Sequence, residues 1–380
     1  MAKIHITLVG GQPAPVYHGI VAIQPDKIVF IYSQESIEVL NSIKKEIDIP
    51  VEEIPPLHPT DPIQIYRVAE QLAKKYENDE VTVNISSGLK SWSHWFGIVF
   101  DRKPNAAIVY MDQNNVLWNY RTMQPRSDFE FDMHALFRLY GNSLERNYQK
   151  YSDYTQEDKD CIEKIEKARS FNNQDFNLLT LDNQQQLKIN IQKSGRFSLN
   201  GESQSYLEWD RKDNNQAPIV RLKLYNRVGK SQEWNLCSPN ILKLVFKAGW
   251  FEYKVATLLE SWEHSKEICL NCRFPFKRNV DKNETDIIVN TGTKLLFVEC
   301  KTQITHTTDI DKFRSVIKGY GGTGSKGLFV TEAKMKDIAK KKCEENGILS
   351  FSLKDDHWGL SEEKALQLLL DSELYNINTK

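Results

Sequence analysis

Asp286-Ile287-Ile288-Val289-Asn290, then Thr291-Gly292-Thr293, then Lys294-Leu295-Leu296-Phe297-Val298-Glu299-Cys300-Lys301 is the most informative stretch of this chain. Two short apolar runs flank a Thr-Gly-Thr turn signal, the pattern of a β-hairpin. Side chains alternate faces along a strand. Glu299 and Lys301 therefore share a face with Leu295 and Phe297, while Leu296, Val298 and Cys300 point the other way. A carboxylate and an ammonium at the end of an apolar strand, with Asp286 on the neighbouring strand, suit a divalent cation beside a phosphate oxygen. An exposed cross-strand ion pair has the same Glu-x-Lys spelling and is worth little, so the surroundings must decide.

Upstream, 242–259 reads as one helix in which Val245, Gly249, Glu252, Ala256 and Leu259 share a face. Glu252 interrupts that apolar stripe between Trp250, Phe251 and Tyr253. A buried carboxylate without a partner is costly, so Glu252 is expected to face a metal, a base or a water-filled cleft. Downstream, Gln303 continues the Glu299/Lys301 face toward a scissile phosphate. This order of helix Glu, hairpin Asp and Glu-x-Lys resembles the PD-(D/E)XK nuclease superfamily, with Thr285-Asp286 standing where the namesake has Pro-Asp. The resemblance implies a restriction-endonuclease-like α/β domain.

The whole chain sets the bounds. Its 380 residues suffice for two domains. Hydrophobic residues make up 40% and charged residues 27%, as in globular proteins generally. No apolar run approaches the ~20 residues of a membrane span, and Met1–Val9 reads as a strand rather than a signal peptide. Six scattered cysteines point to reduced thiols and a cytoplasmic home. Cys269-x-x-Cys272 has no second pair at zinc spacing and reads as two half-buried thiols. The formal charge of −1 is unevenly spread. From Arg273 to Lys342 fifteen Lys and Arg face eight Asp and Glu, a local net of +7, which leaves −8 for the remainder. Positive charge around the Glu-x-Lys strand suits a polyanionic substrate.

Residues 3–120 alternate strand and helix patterns. Strands are expected at 3–9, 27–32, 51–54, 81–85, 106–110 and 116–120, and helices at 35–46, 62–76 and 89–100. Asp61 is the expected N-cap of the second helix and Pro62 its first residue. Such a rhythm predicts a doubly wound, Rossmann-like parallel sheet, whose ligands bind at the carboxyl ends of the strands. Two of those ends are unusual. One runs into Gly10-Gly11-Gln12-Pro13, the other into Asn84-Ile85-Ser86-Ser87-Gly88-Leu89-Lys90. Glycines let backbone approach a ligand, and the second loop opens a helix whose first amides suit an anion. The Gly-x-Gly-x-x-Gly and Walker patterns are both missing, which disfavours an ordinary nicotinamide or ATP site.

This half resembles the CARF sensor domain, the CRISPR-associated Rossmann fold that binds cyclic oligoadenylates. Where that family carries Thr-Gly-Gly-Thr-Lys, this chain has Ser86-Ser87-Gly88-Leu89-Lys90. Thr60, after the third strand, is a further candidate contact. Between the halves, 129–140 and 155–169 read as helices, 172–192 as polar loops and a strand edge, and 196–199, 205–209 and 219–225 as antiparallel strands. The expected organisation is a sensor over 1–145, a helical linker over 146–175 and a nuclease domain over 176–380.

A CARF-like sensor joined to a PD-(D/E)XK domain resembles the ancillary nucleases of type III CRISPR immunity. That resemblance implies a homodimer, activation by cyclic tetra-adenylate, Mg²⁺ or Mn²⁺, and a DNA or RNA substrate cut with little sequence preference. In it Asp286, Glu299 and the Cys300 carbonyl would hold the ion, Lys301 would steady the water or the developing charge, and Glu252 would bind a second ion or act as a base. Gly321-Gly322-Thr323-Gly324, before the strand expected at 327–331, reads equally as a place where substrate backbone approaches and as a plain flexible turn. Two rivals stand beside this: a nucleotide-responsive regulator whose nuclease fold does not cut, and a repair or restriction nuclease without a messenger.

Overall fold

A computed structural model describes residues 1–112, 116–130, 132–180, 192–199, 203–211, 216–278, 280, 282–292, 294–304, 306–322 and 325–375. In the N-terminal half β1 (Lys3–Leu8), β2 (Lys27–Ile31), β3 (Val51–Glu53), β4 (Glu80–Asn84) and β5 (Ala106–Met111) run parallel in the order β3-β2-β1-β4-β5. β6 (Leu117–Asn119) and β7 (Gln124–Arg126) extend the far edge antiparallel. The strands are apolar on both faces because helices cover both. Ile28 and Phe30 pack against α1 (Ala14–Ile23) and α2 (Ile37–Lys44), while Val29 and Ile31 join the core under α3 (Pro62–Lys75) and α4 (Lys90–Asp101).

Most of this matches the sequence pattern, including the Asp61 cap, whose carboxylate accepts the N–H groups of Ile63 (3.0 Å) and Gln64 (3.2 Å). Helix α1 escapes the pattern because it begins among prolines. The first turn accepts them, since its N–H groups have no intrahelical partner to lose. The segment expected to be helical over 35–46 starts with a single 3₁₀ turn, Gln34–Ser36, before α2.

The C-terminal half has two sheets. β8 (Gln149–Lys150), β13 (Glu267–Arg273), β14 (Glu284–Asn290), β15 (Leu295–Lys301), β16 (Ser325–Thr331) and β17 (Ile348–Ser352) form one in the order β17-β16-β15-β14-β13-β8. It is parallel over β15–β17 and antiparallel over the rest. The other is antiparallel, β9 (Ser194–Ser198) to β12 (Ser231–Cys237) through β10 (Tyr206–Asp210) and β11 (Ile219–Tyr225). Helices α5 (Met133–Leu139), α6 (Gln156–Thr180), α7 (Ile241–Phe246), α8 (Gly249–Glu260), α9 (Thr308–Val316), α10 (Asp337–Glu345) and α11 (Glu362–Tyr375) complete the half. The chain is thus mixed α/β, a parallel-rich sheet joined to a second α/β unit.

Three departures from the sequence pattern have local causes. Helix α6 runs on to Thr180, past the expected stop at 169, because Asn172 restarts it. Asn172 leaves helical geometry (φ −154°, ψ 89°), and its side chain accepts the N–H of Asp175 (3.1 Å) and donates to the Tyr225 carbonyl (2.6 Å). The remainder of the expected 172–192 loop, 181–191, lies outside the described residues. The helix expected over 242–259 is two helices, because Ala248 sits in left-handed space at φ 53°. Helix α5 is shorter than the expected 129–140.

The large buried clusters do not respect the division into halves. One contains Val16, Tyr17, Ile20 and Phe30 from the N-terminal sheet layer, Phe137 from α5, and Phe274, Phe297 and Phe313 from the C-terminal half. Phe137 meets Phe274 and Phe297 edge-on at centroid distances of 5.2 and 6.2 Å. Helix α5 is therefore the packing bridge between the two sheets. All six cysteines are free, and Cys269 and Cys272 are buried on β13. Burial drives the Cys269 thiol pKa up to about 12 and also holds that of Cys272 well above the ordinary thiol value. No helix among the described residues is long and apolar enough to cross a membrane.

Candidate active site and ligand loops

The β14–β15 hairpin brings its acids together by register. Ile287 pairs with Val298, so one step further along the same antiparallel ladder Asp286 stands level with Glu299. The Asp286 Oδ2 accepts the N–H of Cys300 at 2.7 Å. Thr285 donates its hydroxyl to the Val298 carbonyl (3.0 Å), a cross-strand bond that the namesake Pro has no hydroxyl to form. The expected division of faces holds. Leu295 and Phe297 belong to the core shared with α5, and Leu296, Val298 and Cys300 to the core under α8.

Glu299 is 3% exposed and carries two ammonium groups. Lys301 Nζ lies 2.7 Å from its Oε1, and Lys282 Nζ lies 2.8 Å from each of its oxygens and 4.0 Å from Asp286 Oδ1. Burial and then the Asp286 charge raise the Glu299 pKa, and the two lysines work against that. For Lys301 and Lys282 burial opposes the charge, but Asp286 and Glu299 outweigh it and hold both pKa values above the ordinary lysine range.

Glu252 sits in the first turn of α8, and its face is as expected, with Val245, Gly249, Ala256 and Leu259 all buried. The break at Ala248 brings the two helices close. A Cβ on Gly249 would lie 2.9 Å from the Lys243 carbonyl. The Glu252 carboxyl end is buried, with Oε2 lacking a hydrogen-bond partner. Burial first, then the charge of Asp286, pushes its pKa up to about 8, and Lys243 and Lys301 act in the opposite direction. Lys243 is itself pushed down by burial. The buried Glu252 carboxyl is therefore held largely neutral near pH 7.

These groups border a cleft of about 370 Å³ that includes Lys247, Glu252, Arg273, Lys282, Asp286, Cys300 and Lys301. Glu299 is not itself a lining residue; it is bonded to Lys282 and Lys301, which are. Gln303 is not among the lining residues: β15 ends at Lys301, the alternation stops there, and Gln303 is exposed while Thr302 takes the cleft wall. Gly321 and Gly322 do not open toward substrate either. A Cβ on Gly322 would lie 2.5 Å from the Tyr140 ring, and one on Gly321 2.8 Å from Ser325, so both are packing contacts. Thr323 and Gly324 lie outside the described residues. Lys282, Lys243 and Lys247 were not foreseen at this site, because loop and broken-helix spacing carries no facing information.

Among the described residues no group of three or more His, Cys, Asp and Glu side chains is arranged to hold a metal ion. The donor set nonetheless fits one. A single ammonium, that of Lys282, already contacts both Glu299 oxygens and lies 4.0 Å from Asp286, and so marks where a cation reaches both acids. Carboxylate oxygens and a main-chain carbonyl are the hard ligands Mg²⁺ and Mn²⁺ take.

Helix α6 is fastened to this site from behind. Arg169 stacks on the Trp250 ring at 3.7 Å and grips Glu332 with two nitrogens at 2.6 and 2.8 Å. The Glu332 N–H in turn donates to the carbonyl of Lys301 at 3.1 Å.

At the other end of the molecule the two loops touch each other. The Gly10 N–H donates to Ser87 Oγ (3.1 Å), and Ser87 Oγ donates to the Gln12 carbonyl (3.3 Å). A Cβ on Gly10 would lie 2.6 Å from the Gly88 nitrogen, and Gly88 itself has φ 82°, so neither position accepts a side chain. Asn84 and Ser86 brace the pair. Asn84 Oδ1 accepts the N–H of Ser86 (3.0 Å), Asn84 Nδ2 donates to the Pro15 carbonyl (3.2 Å), and Ser86 Oγ accepts the N–H of Met111 (2.5 Å). Gly11, Gln12 and Lys90 are exposed, with Lys90 the first residue of α4, whereas Pro13 is buried at the start of α1. Ser91 Oγ donates to the Pro59 carbonyl (3.3 Å), which sets Thr60 beside the same helix start.

No protein-family model matches the chain, and no curated protein matches it in sequence. Solved structures do match. Can2 from Sulfobacillus thermosulfidooxidans, in complex with cyclic tetra-adenylate, superimposes with a TM-score of 0.65 at 16% identity, over 98% of this chain and 97% of that one. Protein VC1899 from Vibrio cholerae gives 0.64 at 15% over 98% and 97%. A type III CRISPR defence DNA nuclease activated by cyclic oligoadenylate gives 0.57 at 14%, over 96% of this chain and 52% of that one. The chain therefore has the fold of Can2 and of about half of the type III CRISPR defence nuclease.

Proposed function

We propose that the protein is a metal-dependent endonuclease of type III CRISPR antiviral defence, switched on by cyclic tetra-adenylate and acting on DNA, single-stranded RNA or both with little sequence preference. The observation that carries this reading is the convergence of Glu252, Asp286 and Lys301 on one cleft at the end of a hairpin, with Glu299 bonded to Lys301, within a fold shared with a cyclic-oligoadenylate-activated nuclease. The C-terminal half is read as a PD-(D/E)XK domain over 176–380, behind a sensor over 1–145 and a linker over 146–175.

Asp286, Glu299 and the Cys300 carbonyl would hold Mg²⁺ or Mn²⁺, which when bound supplies a Lewis acid and an activated water. Lys301 keeps its proton and presents a fixed positive charge to the phosphate, already oriented by Glu299. Glu252, with its pKa at about 8, can take or return a proton near neutral pH. The basic excess between Arg273 and Lys342 draws the polyanion in. In the sensor, Gly10, Gly11, Gln12 and Thr60 would contact the messenger with Lys90 as the charged group, while Asn84, Ser86, Ser87 and Gly88 shape the loops. A ring of four adenylates has two-fold symmetry and suits a homodimer.

One assay tests this: labelled single-stranded RNA, single-stranded DNA and supercoiled plasmid, with Mn²⁺, each with and without cyclic tetra-adenylate. Cleavage is expected only with both, and is lost in Glu299→Ala. Cleavage indifferent to the messenger would favour a repair-type nuclease. The capping of Glu299 by two lysines favours a second reading, a regulator that binds the messenger and does not cut, and inert protein under every condition would favour it.

A further inference from the structure

The charges in the cleft are unevenly shared. Glu299 has two ammonium partners, while Glu252 Oε2 is buried with none. Lys301 already satisfies Glu299 from the same strand, so Lys282 is the surplus partner. Its ammonium grips both carboxylate oxygens at 2.8 Å and lies 4.0 Å from Asp286, the place a divalent ion shared by these acids would take. Two cations cannot occupy that place together, since like charges at such range repel strongly in a partly buried cleft.

Lys282 does not come from a strand. It belongs to the connection between β13 and β14, which is closed at its base by Phe274 N–H to the Asn283 carbonyl (2.8 Å) and Asn283 Nδ2 to the Phe274 carbonyl (2.8 Å). Earlier in that connection Lys277 donates to the Asn142 side chain and to the Gly319 carbonyl (2.9 Å), and the Pro275 carbonyl accepts from the Tyr320 hydroxyl (2.9 Å). Asn142 follows α5. Arg138 of α5 holds Glu46, just past α2, with two nitrogens at 2.8 Å each. Contacts thus run from the N-terminal sheet layer through α5 and Asn142 to Lys277, five positions before Lys282 in the same connection.

We propose that Lys282 is a tethered competitor for the active-site cation, seated between Glu299 and Asp286 until a shift of α5, passed on through Asn142 and Lys277, withdraws it. The inference rests on the nuclease reading above and adds a means of keeping the resting enzyme from loading its ion.

The test measures Mn²⁺ binding to the full-length protein, without nucleic acid, by calorimetry and by the electron paramagnetic resonance of free Mn²⁺. Four proteins are compared: wild type, Lys282→Met, Lys277→Met and Asp286→Asn. Lys282→Met is expected to bind Mn²⁺ roughly tenfold more tightly than wild type without messenger, the size of change that removal of one competing contact gives. Lys277→Met, which leaves every cleft residue in place, is expected to tighten binding several-fold and stands as the second test if Lys282→Met does not fold. Cyclic tetra-adenylate should tighten wild type toward Lys282→Met and leave that variant unmoved. Mn²⁺ that is lost in Asp286→Asn but bound equally or more weakly by Lys282→Met and Lys277→Met overturns the inference alone. Mn²⁺ bound by none of the four, or bound unchanged by Asp286→Asn, overturns the nuclease reading and this inference with it.

Discussion

The two ends of the molecule solve opposite electrostatic problems. The loops at Gly10 and Gly88 are built from backbone amides, hydroxyls and one amide side chain, and these bond mainly to each other. Such a site is relaxed when empty, and an anion finds amides and an exposed lysine without evicting anything. The cleft at Glu299 is built from buried carboxylates and lysines whose charges are only partly balanced. It carries stored electrostatic tension that a cation and a phosphate would relieve. On the function proposed above, neutral construction suits a sensor that must stay ready, and tension suits a site that should act only when completed.

The largest effect that would sharpen this contrast is Asp286→Asn. Cleavage should fall roughly a thousandfold or more while messenger affinity, read by calorimetry, stays within about twofold. A matching loss of messenger binding would break the separation between the two ends. Next comes Gly10→Val, which places side chain where Gly88 N lies 2.6 Å from a Cβ. Messenger affinity should drop by roughly a hundredfold, with about 1–3 kcal/mol lost in denaturant melts.

The third concerns pH. The Glu252 pKa is higher folded (about 8) than unfolded, so the folded protein holds the extra proton and loses stability as pH rises from about 4.5 to 8. Against Glu252→Gln, the wild type should fall behind on the order of 3 kcal/mol by pH 7. The smallest runs the other way. His5 is wholly buried, its ring nitrogens have no hydrogen-bond partner, and burial drives its pKa down to about 3. Its cost therefore appears as pH falls below about 6.5, and His5→Leu should gain about 2 kcal/mol on wild type at pH 5. Equal pH slopes for the two substitutions would erase the contrast between the ends.

What could be read from the sequence was whatever repeats with a fixed period. Alternation along 295–301 assigned Leu296, Val298 and Cys300 to one core and Leu295 and Phe297 to the other, and both assignments hold. Helical spacing likewise set Glu252 on a buried face. Where geometry depends on one residue leaving its period, the sequence was silent: Ala248 at φ 53°, Asn172 restarting α6, and Gln303 just beyond the last strand residue. Lys282 was invisible for a related reason, since a loop has no period and the carboxylate it meets is seventeen positions away.

The aromatic contact of Phe137 with Phe274 and Phe297 has a consequence for how the protein can be taken apart. Severing the chain between the halves would strand these rings in water, so neither fragment inherits a finished interior. The two halves are bound to melt together, and grafting the N-terminal half onto a foreign partner domain would require a new partner for α5.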